Sequence, residues 1–379
     1  MSEQTLGHES SFRAAVNALT DYEPGRSVQE VSREFGIPLA DIVKLASNEN
    51  PYGPSPSAVA AISTEFANLH MYPWQEFTDL RLCVAEANGV KPSNVLLASG
   101  SETIVQMIPR LYVESGDEVV VAPQTYSRYA AGSILMNAVL RSVPLADYRF
   151  DLEAIADVVD SRTKIVWLCS PNNPTGAIVR RAEMEHFLAA IPQTVAVVID
   201  QAYGEFVDDP EYAEGVGLVR EGHRNVIVLK TFSKAYALAG LRLGYAVADE
   251  VVCRMLDRIE EPFFLNRAAT AAGPAALADT AWLQRTLAAV RLGRDYLQRE
   301  LTQLGCEVVP SQANFVFVDV RVSARDLFER LLKRGLIIRP ADGWGYPTHV
   351  RITVGTPAQN ETCISMLATE LQAMRGGPA

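Results

Sequence analysis

The chain has 379 residues, 48% of them apolar and 21% charged, with a formal net charge of −11. That is enough apolar material for a sizeable core, arranged as one large domain with a smaller one or as two of similar size. The acidic balance excludes nucleic acid as a natural partner, but not a local cationic pocket for a small anion.

The first residues, MSEQTLGHESSFRAA, lack the apolar segment of a secretory signal. No apolar run approaches the roughly 18 residues of a membrane span, so no membrane partner is expected. Cys83, Cys169, Cys253, Cys306 and Cys363 show no C-x-x-C spacing and no His at a metal-ligand interval. They read as unpaired, buried thiols in a reducing compartment, the cytoplasm, with no metal site. The five histidines form no triad or ligand pattern.

In chain order, Glu23-Pro24-Gly25 and a short helical stretch at 28–36 come first. Residues 1–45 are expected to be an arm that joins the small domain or a partner subunit. The runs 95–99, 118–123, 164–170, 195–200, 226–231 and 243–248 are apolar with little alternation, as strands covered on both faces tend to be. Helical patterns at 102–113 and 181–191 lie between them. This order predicts an α/β domain over 46–274, its sheet mostly parallel and sandwiched by helices. A long helical region (275–304), strands at 314–320, 335–340 and 349–355, and helices at 323–334 and up to 374 predict a smaller α+β domain over 275–379.

Ligands of open parallel sheets bind beyond the carboxyl ends of the strands. Those ends carry Gly100-Ser101-Glu102 at a helix start, Gln124-Thr125-Tyr126, PNNPTG (171–176), Asp200 with Tyr203, and Phe232-Ser233-Lys234 with Arg242 eight residues on. These residue types match the needs of pyridoxal phosphate. That cofactor takes a lysine for its aldehyde and a carboxylate for its pyridine nitrogen. It also takes donors for its phenolic oxygen, an aromatic face for its ring, and N–H groups, hydroxyls and a cation for its phosphate.

The motifs TFSKAYALAGLRLGY (231–245), PNNPTG and VIDQAYGEF (199–207) resemble, in the same order, those of fold-type I aminotransferases. KLASNENPYGPSP (44–56), MYP (71–73), GSET (100–103) and RITVGT (351–356) are similar to those of the histidinol-phosphate aminotransferase group. The resemblance implies that Lys234 forms the internal aldimine and shuttles the proton. Asp200 would pair with the pyridine nitrogen, Asn173 and Tyr203 with the phenolic oxygen, and Tyr126 would stack on the ring. Ser101, Glu102, Thr231, Ser233 and Arg242 would surround the phosphate, with Tyr72 reaching the cofactor of the other subunit of a homodimer. Arg351 would clamp the substrate carboxylate, Arg339 would meet a substrate phosphate, and Asn48 and Asn50 would line the substrate entrance. The partners so implied are a small amino donor and a 2-oxo acid acceptor.

The segment also departs from the pattern. Gln201 replaces the usual Glu and is expected to point away from the ring. Trp74-Gln75, Phe264 and the Trp344-Tyr346 pair are expected near the substrate pocket. Histidinol phosphate with 2-oxoglutarate is the first substrate reading, because a phosphomonoester needs a local cation such as Arg339. An aromatic donor walled by Phe263, Phe264, Trp344 and Tyr346 is the runner-up. A threonine-phosphate decarboxylase-like reaction and a non-catalytic cofactor-binding regulator remain as alternatives.

Overall fold

The computed structural model describes residues 12–21 and 25–376; Glu23 and Pro24 lie outside them. Strands are numbered in chain order. The large sheet takes β2 (Val95–Ala98), β3 (Glu118–Val121), β4 (Val139–Ser142), β5 (Thr163–Cys169), β6 (Ala196–Asp200), β7 (Val226–Thr231) and β8 (Gly244–Ala248) in the order β2-β8-β7-β6-β5-β3-β4. All neighbours are parallel except β8, which runs antiparallel to both β2 and β7.

Side chains alternate across a strand, so each central strand feeds two cores. Val197 and Ile199 enter one apolar cluster, and Ala196 and Val198 the other. This two-sided burial is why those runs read as continuously apolar. β4 escaped the sequence reading: it lies at the sheet edge, is largely exposed and carries Arg141 and Ser142 among its apolar residues.

The second sheet is antiparallel. It comprises β9 (Glu307–Val309), β10 (Phe315–Asp319), β12 (Arg339–Pro340) and β13 (His349–Thr353), ordered β12-β13-β10-β9. The run at 335–340 is split. Its first part, β11 (Leu336–Ile337), pairs in parallel with β1 (Val43–Lys44), which ties the N-terminal segment to this part of the molecule.

The helical region 275–304 is also divided. One helix, Arg267–Ala278, packs against the helices Pro56–Thr64 and Trp74–Asn88. Asp279 then breaks the path, and its carboxylate accepts from Trp282 N (3.2 Å) to cap the helix Thr280–Gln303. Among the described residues no helix is long and apolar enough to cross a membrane, and no His/Cys/Asp/Glu group could hold a metal ion.

Candidate active site

The carboxyl ends of the large sheet and the β12–β13 edge of the small one enclose a cavity of about 830 Å³. One end is built for an anion. Gly100 (φ +84°) turns the chain from β2 into the helix Ser101–Tyr112, whose first N–H groups have no intrahelical partner. A Cβ on Gly100 would lie 2.5 Å from Arg242 Nη2, and one on Gly244 would lie 2.4 Å from Ser101 N. Glycine is thus required where helix start and guanidinium meet. Thr231, Ser233 and Arg242 line the same end. The Glu102 carboxylate is already engaged by Tyr126 Oη (2.9 Å) and Arg128 Nε (2.8 Å), so this residue offers its backbone to the cavity.

Asp200, at the end of β6, is buried in the middle of the wall. Its Oδ2 accepts from Tyr129 Oη (2.7 Å) and its Oδ1 from Ala202 N (2.9 Å). Burial pushes its carboxyl pKa up, and these two donors oppose the rise. Tyr129 is fully buried and stacks on Trp167, with ring centroids 4.7 Å apart. Sequence reading missed Tyr129. Its spacing of three from Tyr126, which places both on one side of a helical turn, was the available signal.

Lys234 follows β7. Its Nζ donates to Ser47 O (3.2 Å) and stands 5.8 Å from the Tyr203 ring centroid. Burial, with the nearby Arg351 charge, pulls its pKa down to about 8. Tyr203 Oη accepts from Asn48 Nδ2 (3.0 Å), which leaves its own proton free to be donated. Burial pushes that phenol up to about 12, so it stays protonated. Asn173 Oδ1 accepts from Arg351, which turns the amide N–H₂ edge of Asn173 away from that bond. Arg351 also donates to Ala46 O (2.7 Å). His349, Arg351 and Thr353 share one face of β13, and all three are buried, so that face is not a solvent face. Arg339 lies directly opposite Arg351 on β12 and lines the same cavity.

Several expectations need correction. Asn50 does not line the cavity; its Nδ2 donates to Ala235 O (3.0 Å) and so braces the backbone beside Lys234. Phe264 packs edge-on against Phe77 in the core, and Tyr346 packs on Phe317 and His349, because each finds an aromatic partner there. Phe263 is stacked on Tyr72 at the surface. Of the four aromatic walls expected for an aromatic donor, only Trp344 lines this chain's cavity. Trp74 is 75% exposed and Tyr72 70% exposed, and neither lines it. Gln201 does point away from the cavity, bonding Ala213 O (2.9 Å) and Gly215 N (3.1 Å).

Residues 40–367 match the family model of aminotransferase class I and II. The chain belongs to that family. It is 42% identical over 365 residues to a histidinol-phosphate aminotransferase of Moorella thermoacetica, covering 96% of this chain and 94% of that one. It is 42% identical over 346 residues to one of Brevibacillus brevis, covering 91% and 94%. The solved histidinol-phosphate aminotransferase of Sinorhizobium meliloti, in complex with pyridoxal-5'-phosphate, superposes with a TM-score of 0.85 at 29% identity, covering 97% of this chain and 98% of that one. This protein is a pyridoxal-phosphate-dependent aminotransferase of fold-type I. The donor set of the cavity fits that cofactor: a cation and a helix start that meet at one end, a buried carboxylate and an amine all line it.

Proposed function

We propose that this aminotransferase exchanges the amino group between histidinol phosphate and 2-oxoglutarate, a step of histidine biosynthesis. One observation carries the substrate reading: Arg339 and Arg351 stand opposite each other across β12 and β13, in the cavity that also contains Lys234. An arginine binds a phosphate or carboxylate through a fork of N–H donors. The 42% identity to two histidinol-phosphate aminotransferases supports the same substrates.

The Ser101 and Glu102 amides, Thr231, Ser233 and Arg242 would hold the cofactor phosphate. Asp200 would pair with the ring nitrogen, Asn173 and Tyr203 with the phenolic oxygen, and Tyr126 would cover a ring face. When bound, the cofactor supplies an electron sink for the charge left at the substrate α-carbon. Lys234 Nζ accepts the donor's α-proton and, in the second half-reaction, gives a proton to the α-carbon of the 2-oxo acid. A base with its pKa lowered to about 8 is matched to that task near neutral pH. Asn48 sets the Tyr203 hydroxyl, and Arg351 orients Asn173 and brings positive charge to the cavity for a substrate carboxylate.

We also propose a large cofactor-binding unit over 46–274, a small one over 275–379 and an arm over 1–45, although the helix Arg267–Ala278 spans the 274/275 boundary. The exposed Met71, Tyr72, Trp74 and Phe263 support a homodimer in which Tyr72 reaches the partner's cofactor. The five unpaired cysteines support a cytoplasmic location.

The test is to offer histidinol phosphate, phenylalanine and glutamate as donors and compare kcat/KM, with carbon dioxide release measured in parallel. Histidinol phosphate should lead, no carbon dioxide should appear, and Lys234→Ala should lose turnover. A preference for phenylalanine, or undiminished turnover in Lys234→Ala, would refute the reading. Sedimentation of an active monomer would refute the dimer.

A further inference from the structure

Residues 65–76 link the helices Pro56–Thr64 and Trp74–Asn88. This segment carries Phe66, Leu69, Met71, Tyr72 and Trp74, all of them exposed. Side chains that face outward bury little, so they do little to fix the segment that carries them. Its backbone is held from within instead. Arg267, at the start of the helix Arg267–Ala278, is 7% exposed. Its Nε donates to Glu65 Oε2 (2.6 Å) and its Nη2 to Glu76 Oε1, at the two ends of the segment. Its Nη1 points between Met71 O and Tyr72 O, 3.4 Å from each, a longer and shared bond. Tyr72 O also accepts from Trp74 N (3.0 Å).

One planar guanidinium therefore spans both ends and the middle of one loop, which the point charge of a lysine cannot copy. Replacing a buried ion pair by apolar residues of similar volume is often neutral or stabilising, so stability alone is a weak reason for this one. Its contribution is direction: the fork fixes where the Tyr72 backbone stands. The Tyr72 ring is steadied separately by Phe263, which stacks on it with centroids 4.1 Å apart and planes 21° apart. Arg267 is itself anchored. Asn266 before it caps the helix by accepting from Ala269 N (2.8 Å), and donates through Nδ2 to Leu241 O (2.9 Å), beside Arg242.

We propose that Arg267 is a positioning residue that acts in trans: it sets the Tyr72 backbone of its own chain so that the Tyr72 hydroxyl meets the cofactor of the partner subunit. The inference deepens the proposed function and rests on its homodimer, in which Tyr72 reaches across. Arg267 does not line the cavity of its own chain. It serves the cavity of the other.

The test measures cofactor affinity in the full-length dimer, read from the absorbance of lysine-bound cofactor. Tyr72→Phe should weaken it about tenfold, the loss of one hydrogen bond to a charged group. Arg267→Gln should weaken it by a similar factor, and Arg267→Lys, which keeps the charge but not the fork, by less. Arg267→Gln combined with Tyr72→Phe should be no weaker than Tyr72→Phe alone, because Arg267 acts through that hydroxyl. A hybrid dimer of one Arg267→Gln subunit and one Lys234→Ala subunit separates the two chains. Its intact lysine receives Tyr72 from the subunit with native Arg267, so that site should bind cofactor with native affinity. If Arg267→Gln does not fold, Arg267→Lys carries the same double variant and hybrid. Additive losses in the double variant, or a hybrid site as weak as the Arg267→Gln dimer, would overturn the proposal. Weak binding in Tyr72→Phe with native binding in Arg267→Gln would overturn it while the reach of Tyr72 stands. Native affinity in Tyr72→Phe would overturn both.

Discussion

Capture of pyridoxal phosphate by the cofactor-free protein should follow the titration of Lys234. Only a neutral amine attacks the cofactor aldehyde. With its pKa lowered to about 8, roughly 10% of Lys234 is neutral at pH 7, against about 0.03% for a lysine at the ordinary 10.5. Capture at pH 7 should thus be about 300-fold faster than by an unperturbed lysine. The rate should rise from pH 6, bend near pH 8 and level off above it. Stopped-flow absorbance after mixing protein with cofactor reads this directly. Burial is the main cause of the lowered pKa and the Arg351 charge the next. Arg351→Gln removes a positive neighbour, which favours the protonated amine. The bend should move to higher pH and capture at pH 7 should slow. A rate that climbs without a plateau through pH 10, or an unmoved bend in Arg351→Gln, would refute the reasoning.

Two other substitutions probe the frame around the site. Tyr129→Phe keeps the ring that stacks on Trp167 but removes one of two donors to Asp200. The lost bond stabilised the charged form, so the Asp200 pKa, already raised by burial, should climb further. Its carboxylate is lost earlier as pH falls, so cofactor should leave the variant at a higher pH than the native protein during dialysis; equal retention at every pH would count against the role of Tyr129. Lys230 and Glu205 form a largely buried pair 3.0 Å apart, in which burial opposes the ammonium, and Glu205 together with neighbouring tyrosines more than offsets it. Glu205→Gln strands that charge and should cost about 3–5 kcal/mol in urea denaturation, while Lys230→Met with Glu205→Leu should recover most of the loss. A single variant of native stability would show that the pair carries no such penalty.

Much of the site was legible because its chemistry is written in residue types at strand ends. Lys234, Asp200, Tyr203, Asn173 and Arg242 each follow an apolar run, and the run locates them on one edge of the sheet. Asn50 read wrongly because a polar side chain near a motif can face either the ligand or the backbone behind it, and here the Ala235 carbonyl took it. Phe264 and Tyr346 read wrongly for a similar reason: apolar rings go wherever another ring completes their burial, and sequence proximity to a pocket does not supply that partner.

What the sequence alone determined is the mostly parallel sheet, the order of its loops and the place of Lys234 after β7, on the wall of the cavity. These depend on local patterns: apolar runs long enough to be buried on both faces, and glycines or polar residues that end them. Only the tertiary structure decided that Tyr129 grips Asp200 across 71 positions of chain, that Arg351 reaches Asn173 across 178, and that Trp344 stands against two arginines while bonding Thr125. Such contacts are set by how two sheets pack. No periodicity along the chain encodes that packing, because it is the sum of many apolar contacts between segments far apart in sequence.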